Sequence, residues 1–117
     1  MGTATLLIIE GKRADYPAFS SALRKKGFDV EHAISGSDAL ARLQSGLLPD
    51  AIIVDAASLR TTGKRICQSL RAKTEHIPIL LILEPEVKVD NGEADIVLNL
   101  PFTAQKLVNR IKNVLPV

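Results

Sequence analysis

Cysteine and aromatic residues are scarce in this sequence. The single cysteine, Cys67, excludes an intrachain disulfide and a metal site built from several cysteines. Tryptophan is absent and aromatic residues make up only 3% of the chain, so isoleucine, leucine, valine and alanine must build the core. A core of that composition favours a parallel sheet flanked by helices over an aromatic-rich sandwich.

Long apolar runs and a strong charge of one sign are also missing. No run approaches the roughly 20 residues that span a bilayer, and the N-terminus lacks the basic region and long apolar core of a secretory signal. We therefore expect a cytoplasmic protein with no membrane partner. The formal net charge of +2 is too small to indicate a nucleic-acid partner by itself.

The apolar residues fall into five short runs separated by amphipathic stretches. This alternation predicts βαβ units and an α/β fold with a parallel sheet. With 117 residues and no linker or internal repeat, the chain is predicted to form one domain over residues 1–117. The predicted strands are TLLIIE, FDVEHA, DAIIVD, IPILLIL and ADIVLNLP.

Local signals set the ends of the predicted helices. Asp15 is expected to cap the first helix and Thr103 the last one. Between the fourth and fifth strands, the segment Glu84–Glu93 contains Pro85 and the triplet DNG. We predict a loop or a single turn there, because these residues cannot support a full helix.

Two acids stand at the ends of predicted strands, Glu10 after the first and Asp55 after the third. The carboxyl ends of parallel strands meet at one edge of a sheet, where α/β proteins place reactive groups. Asp55 is therefore a candidate chemical centre. The alternative is a structural acid that accepts hydrogen bonds from loop amides or pairs with a nearby base.

Three pieces of the sequence resemble the receiver domain of two-component response regulators, in the same order and over essentially the whole chain. LLIIEG is similar to the first strand, where the family carries a pair of acids. PDAIIVDAASLRTTG is similar to the third strand and its loop, with Asp55 at the phosphoacceptor position. LNLPFTAQKL is similar to the segment in which a Lys-Pro-Phe motif precedes the last helix.

The resemblance implies a CheY-like, flavodoxin-like fold in three layers. Its doubly wound parallel sheet would have five strands in the order 2-1-3-4-5, with helices on both faces. The helix between the fourth and fifth strands would be shortened or missing here.

The resemblance also implies a depleted acidic pocket. In a working receiver an aspartate takes a phosphoryl group while Mg²⁺ neutralises the developing charge. Here Glu10 occupies the first acid position, but Gly11 stands where the second acid is expected, and Ala57 offers only its main-chain carbonyl.

The switch positions of the family are degenerate as well. Leu83 stands in place of a serine or threonine, Val97 in place of an aromatic residue, and Leu100 in place of the lysine before Pro101. The hydroxyl and ammonium that hold the phosphoryl oxygens in the family are therefore missing. These positions imply a pseudo-receiver.

Two functional hypotheses stay open. The first is a regulatory protein-interaction module of two-component phosphorelay signalling, with no enzymatic activity and no cofactor. The second is a functional receiver that a histidine kinase phosphorylates on Asp55, with Mg²⁺ as its cofactor.

Four cations are candidate charge partners of Asp55. Lys12, Arg13, Arg60 and Lys64 lie on the loops predicted at the same end of the sheet. We predict that Asp55 is a remnant whose charge one of them balances in place of Mg²⁺.

The fifth strand and the last helix form the predicted interaction surface. Loss of the preceding helix should expose apolar area there, and exposed apolar patches mark interaction sites. The candidate partners are a second copy of the chain, a histidine kinase or a fused output domain. The basic run Arg24–Lys26 has no interleaved aromatic residues, so nucleic acid is not expected to bind this domain.

Overall fold

The computed structural model describes residues 3–12, 18–89 and 93–115. Five strands and five helices lie within these residues. The strands are β1 (Thr5–Ile9), β2 (Asp29–Ala33), β3 (Ala51–Asp55), β4 (Ile79–Leu83) and β5 (Ile96–Asn99). The helices are α1 (Phe19–Lys25), α2 (Gly36–Gln44), α3 (Ala56–Leu59), α4 (Lys64–Lys73) and α5 (Ala104–Val114).

The strands form one parallel sheet in the order β2-β1-β3-β4-β5. This confirms the predicted fold class and strand order. Because successive side chains of a strand point to opposite faces, Leu6 and Ile8 belong to one apolar cluster while Leu7 and Ile9 belong to the other. Burial on both faces explains why the strands read as continuous apolar runs.

Helices α1 and α5 cover the first face of the sheet. Phe19 and Leu23 of α1 and Leu107 and Ile111 of α5 are buried in the same cluster. The rings of Phe19 and Phe102 stack at a centroid distance of 5.2 Å. This contact joins the beginnings of the two helices.

Helices α2 and α4 cover the second face. Leu43 of α2 packs in one cluster with Cys67 and Leu70 of α4. Cys67 is only 2% exposed. Burial raises the pKa of its thiol to about 11, the neighbouring Arg71 opposing this shift, so the thiol stays protonated near neutral pH.

The helix ends agree with the local signals where the structure describes them. The Thr103 hydroxyl accepts a hydrogen bond from the Lys106 amide and caps α5, as predicted. Ser35 caps α2 in the same way, through the Asp38 amide. The predicted cap Asp15 lies outside the described residues. In the part of the chain that is described, α1 begins at Phe19, and Ala18 before it offers no capping side chain.

The connection between β4 and β5 contains no helix in its described residues, 84–89 and 93–95, as predicted. The Asn99 side-chain amide holds it in place by donating to the carbonyls of Glu84 and Val87, both at 2.8 Å. Val87 and Val89 are half-buried and pack against the second cluster.

The expected bare apolar surface at β5 and α5 is not found in the described residues. Among the described residues, the large hydrophobic side chains that are exposed lie elsewhere. They are Ile34, directly after β2, and Leu48, shortly before β3. The short connection itself packs Val87 and Val89 against the second cluster.

Candidate functional site

Glu10 and Asp55 lie side by side at the carboxyl edge of the sheet. Glu10 follows β1 and Asp55 ends β3, and these two strands are neighbours in the sheet. Ile9 lies opposite Val54, so the next residues, Glu10 and Asp55, lie at the same level along the two strands. Glu10 is 2% exposed and Asp55 is fully buried. A buried carboxylate is costly unless hydrogen bonds satisfy it, so the partners of these two acids decide what they can do.

Glu10 caps helix α1 from the end of strand β1. Its Oε2 accepts from the Phe19 amide at 2.7 Å, and its Oε1 accepts from the Ser20 hydroxyl at 2.8 Å and the Ser20 amide at 3.4 Å. These amides belong to the first helical residues, which lack partners inside the helix. Glu10 thus replaces the capping side chain that Ala18 cannot supply.

His32 positions the residue that carries this cap. Its Nε2 lies 2.8 Å from the main-chain oxygen of Glu10 and 4.0 Å from Oε1. A ring nitrogen bound to a carbonyl oxygen acts as the donor. The contact joins the end of β1 to β2 beside the capped carboxylate.

Asp55 caps the short helix α3. Its Oδ1 accepts from the Ser58 amide at 3.2 Å, three residues further along. The Ser58 hydroxyl donates to the Asp55 carbonyl oxygen at 2.8 Å and accepts from the Gly11 amide at 2.9 Å. Ser58 therefore ties the loop after β1 to the loop after β3. We call Glu10, Gly11, Ser20, Asp55 and Ser58 together the capped pocket.

Gly11 permits this close approach. A Cβ atom at position 11 would lie 2.9 Å from the Ser58 carbonyl oxygen and 3.2 Å from Leu59 Cδ2. The first contact is with main chain, so a side chain here requires α3 to move. An acid at the second acid position of the family is incompatible with this loop arrangement.

The other positions that the resemblance to receivers singled out belong to the apolar interior or pack against it. Ala57 and Leu100 are buried in the first cluster and Leu83 in the second, where half-buried Val97 packs against it. The Leu100 amide donates to the Leu83 carbonyl at 2.9 Å. The places where the family holds a hydroxyl and an ammonium thus pack as core.

Three of the four candidate charge partners of Asp55 lie on loops or at helix ends within the described residues. Lys12, Arg60 and Lys64 are exposed, and within the described residues none of these three forms an ion pair with Asp55. Arg13 lies outside the described residues. Charge balance by a cation therefore stays a prediction.

The pocket residues do not fit a Mg²⁺ site. Mg²⁺ requires oxygen ligands in near-octahedral geometry and is usually bound through one or two carboxylates together with several waters. Both carboxylate oxygens of Glu10 and Oδ1 of Asp55 already accept hydrogen bonds from the protein. In the described part of the chain, no cluster of three or more His, Cys, Asp or Glu side chains could hold a metal ion.

Sequence similarity points to one family. The chain is 30% identical over 116 residues to the response regulator MprA of Mycolicibacterium vanbaalenii, an alignment that covers 94% of this chain and 49% of the relative. It is also 30% identical to a candidate response regulator of known structure from Chloroflexus aurantiacus J-10-fl, with a TM-score of 0.76 and coverage of 97% and 98% of the two chains. This chain belongs to the response regulator receiver family. No protein-family model matches it.

Solved structures agree with the receiver assignment. The chemotaxis response regulator CheY4 of Vibrio cholerae superposes with a TM-score of 0.77 at 25% identity, covering 97% of this chain and all of that one. The complex of histidine kinase ThkA with the response regulator TrrA contains a chain of the same fold, with a TM-score of 0.79 at 20% identity, covering 97% of this chain and all of that one. The chain is a receiver domain of two-component signal transduction, and it spans about half the length of the MprA relatives. No helix in its described residues is long and apolar enough to cross a membrane.

Ser20 and Ser58 of the capped pocket, and His32 beside it, are residues that the sequence did not single out. The contact between Asp55 and Ser58 could have been predicted from the sequence. An aspartate that caps a helix accepts from the amide two or three residues further along, and Ser58 is three residues after Asp55. Ser20 and His32 carry no such signal. They reach Glu10 only through the fold.

Proposed function

We propose that this receiver domain is degenerate, that it is not phosphorylated, and that it acts as a non-catalytic protein-interaction module in a cytoplasmic two-component pathway. One observation carries the proposal: the two acids of the receiver pocket each cap a helix. Gly11 and Ser58 close the space between their loops. The acids serve the fold where a working receiver would use them for phosphoryl transfer.

Energetics support the same conclusion. A hydrogen bond to a charged group contributes roughly 1.5–3 kcal/mol. Recruiting Glu10 to a metal would break its bonds to Phe19 and Ser20 and leave the first turn of α1 without its cap. A phosphoryl group on Asp55 would in turn lack a hydroxyl at Leu83 and an ammonium at Leu100, a loss of about 3–6 kcal/mol for two such bonds.

The alternative function is a working receiver that a histidine kinase phosphorylates on Asp55. Asp55 does end β3 at the family's phosphoacceptor position. The solved ThkA complex with TrrA makes a kinase partner a concrete possibility for a protein of this fold. Under this alternative Mg²⁺ is the cofactor and the cap on α3 must open.

A titration with beryllofluoride and Mg²⁺ distinguishes the two functions. We expect the amide resonances of Gly11 and Ser58 to stay unshifted, because both groups are held by the capped pocket. Saturable shifts that disappear in Asp55→Asn would support the working receiver. Shifts that persist in Asp55→Asn would report binding away from the phosphoacceptor.

The protein partner is proposed to dock at strand β5 and the short connection before it. A groove of about 440 Å³ lies there, lined by Leu83, Val87, Lys88, Val89, Val97 and Asn99. A histidine kinase or an output domain of the same protein fits this role, and a second copy of the chain is the simplest case to test. Sedimentation velocity over a wide concentration range should reveal self-association that Val97→Asp abolishes; a monomer throughout would exclude the second copy.

A further inference from the structure

Every exposed position of helix α5 carries a cation or an amide. Its apolar residues face the sheet or are half-buried, and no acid occurs between residues 98 and 115. The exposed residues are Gln105, Lys106, Asn109, Arg110, Lys112 and Asn113.

Helix α1 extends this surface. The Lys26 ammonium donates to the Gln105 side-chain oxygen at 3.0 Å, which places the end of α1 beside α5. Arg24, Lys25 and Lys26 are exposed, and residues 18–28 contain no acid. Gln105, Asn109 and Lys112 recur at helical spacing, so they follow the side of α5 that Lys26 contacts.

The two helices therefore form a basic face. A net charge of +2 for the whole chain and +6 for residues 18–28 and 98–115 leaves −4 for the remainder. The charge is thus strongly asymmetric even though the total is small. The basic face consists of Arg24, Lys25, Lys26, Lys106, Arg110 and Lys112.

The cations of this face are not neutralised within the described residues. None of the six forms an ion pair there, whereas on the opposite face Arg42 pairs with Glu31 at 3.2 Å and Arg71 pairs with Asp95 at 2.6 Å. Asp29, at the start of β2, is the nearest acid along the chain to the end of α1. Arg24 donates to the Val30 carbonyl oxygen at 3.3 Å and Lys26 donates to Gln105, and both acceptors are neutral. Within the described residues, an external polyanion therefore has no internal carboxylate to displace from these cations.

The residue types indicate which polyanion fits. Protein interfaces are built around a core enriched in aromatic residues, and the exposed positions of α5 offer none. Interfaces with nucleic acid are more polar and strongly positive, lysine and arginine neutralise phosphates, and asparagine and glutamine can bond to base edges. Phe28 and Phe102 are half-buried, so the face offers no exposed ring on which unpaired bases would stack.

We propose that the basic face of α1 and α5 binds the phosphate backbone of a nucleic-acid duplex. This goes beyond the proposed function and does not depend on Asp55. It also revises the expectation from Arg24–Lys26 alone, because the fold adds three cations and three amides from α5 to that run.

Fluorescence anisotropy with a labelled DNA duplex of arbitrary sequence tests the proposal. Affinity should fall steeply between about 50 mM and 200 mM salt, by about 10³-fold if all six cations engage phosphates. Unlabelled polyglutamate of matched charge should compete poorly. Absence of binding at the lower salt concentration, or equal competition by polyglutamate, would overturn the proposal, the latter in favour of an acidic protein.

Matched charge reversals locate the site. Lys106→Glu with Arg110→Glu should weaken duplex binding at least about tenfold, since two phosphate contacts become repulsive. Lys64→Glu with Arg65→Glu makes the same charge change on exposed positions of α4 and should leave binding within about threefold. Equal loss in both pairs would mean that net charge alone drives binding. If the protein with Lys106→Glu and Arg110→Glu does not fold, glutamine replaces glutamate at both sites, because glutamine is already found on an exposed position of α5. Lys106→Gln with Arg110→Gln should still weaken duplex binding more than Lys64→Gln with Arg65→Gln.

Discussion

The two edges of the sheet hold their carboxylates in different ways. At the carboxyl edge, buried Glu10 and Asp55 accept from amides and hydroxyls at the starts of helices. At the amino edge, exposed Asp95 accepts from the Arg71 guanidinium at 2.6 Å and from the Ile79 amide at 2.8 Å. In a working receiver the carboxyl edge carries the chemistry. In this chain the acids of that edge are buried, and each accepts a hydrogen bond from the start of a helix.

Burial explains why the difference matters for stability. A buried amide that loses its acceptor cannot form a hydrogen bond with water instead. The protein then loses the full desolvation free energy of that amide. An exposed carboxylate such as that of Asp95 can exchange its partner for water at little cost. Substitutions at the carboxyl edge should therefore cost more than matched substitutions at the amino edge, and should be less sensitive to salt.

Gly11→Asp is expected to have the largest effect. It restores the second acid of the family but places a Cβ against the Ser58 carbonyl oxygen. Overpacking alone costs about 1–3 kcal/mol, and a further carboxylate beside Glu10 and Asp55 raises the total to about 3 kcal/mol or more. Urea denaturation measures the loss.

Gly36→Ala is the control for that substitution. The nearest atoms to its Cβ would belong to the Ile66 side chain, the first at 3.2 Å, so the free energy of unfolding should change by less than about 1 kcal/mol. A Gly11→Asp protein as stable as the parent, or one that gains Mg²⁺ affinity, would contradict the capped pocket.

Glu10→Ala should rank next. It removes the acceptor of the Phe19 and Ser20 amides and should lower the free energy of unfolding by about 2–3 kcal/mol. Glu10→Gln keeps one oxygen and should cost about half as much. The control is Glu31→Ala on neighbouring β2, whose partly exposed ion pair with Arg42 is worth under about 1 kcal/mol. Equal losses at both positions would show that capping is not the role of Glu10.

Asp55→Ala should cost about 1–2 kcal/mol, the usual value of an N-terminal cap. Asp55→Asn retains an oxygen that can accept from the Ser58 amide, so it should cost less. Thermal unfolding of both variants provides the comparison. A clear gain in stability for Asp55→Asn would instead indicate a carboxylate strained for chemistry.

Asp95→Asn at the amino edge should have the smallest effect, about 0.5–1 kcal/mol, because the Asp95 carboxylate is exposed and the asparagine oxygen can still accept from Ile79. The loss should shrink in about 1 M salt, where the screening length is near 3 Å. The Glu10→Ala loss should persist there. If the loss of stability in Asp95→Asn did not depend on salt, the amino edge would not differ from the carboxyl edge in how its carboxylate is held.

Local patterns account for most of the fold. Alternating strands and helices predict the parallel sheet, Thr103 predicts the start of α5, and Pro85 with the DNG triplet predicts the lack of a helix in the described part of the β4–β5 connection. Each of these signals lies within a few residues of its effect. The resemblance to receivers supplied the strand order.

The capped pocket depends on contacts between distant residues. Ser58 meets the Gly11 amide across 47 positions, and no local rule relates them. Glu10 accepts from the Phe19 amide because the start of α1 lies beside the end of β1, and the local sequence pattern does not reveal this contact. Likewise, Val87 and Val89 cover apolar surface that the loss of a helix was expected to bare. The family residues that the chain lacks could be identified from the sequence. The helix-capping hydrogen bonds of Glu10 could not be predicted from it.

Mass spectrometry of the intact protein after incubation with acetyl phosphate and Mg²⁺ tests the capped pocket most directly. We expect no added phosphoryl group, because the Asp55 carboxylate caps α3 and Glu10 is held by α1. Treatment with hydroxylamine and the Asp55→Asn variant identify any acyl phosphate at this position. Stoichiometric addition of one phosphoryl group that is lost in Asp55→Asn would contradict the capped pocket and establish a working receiver.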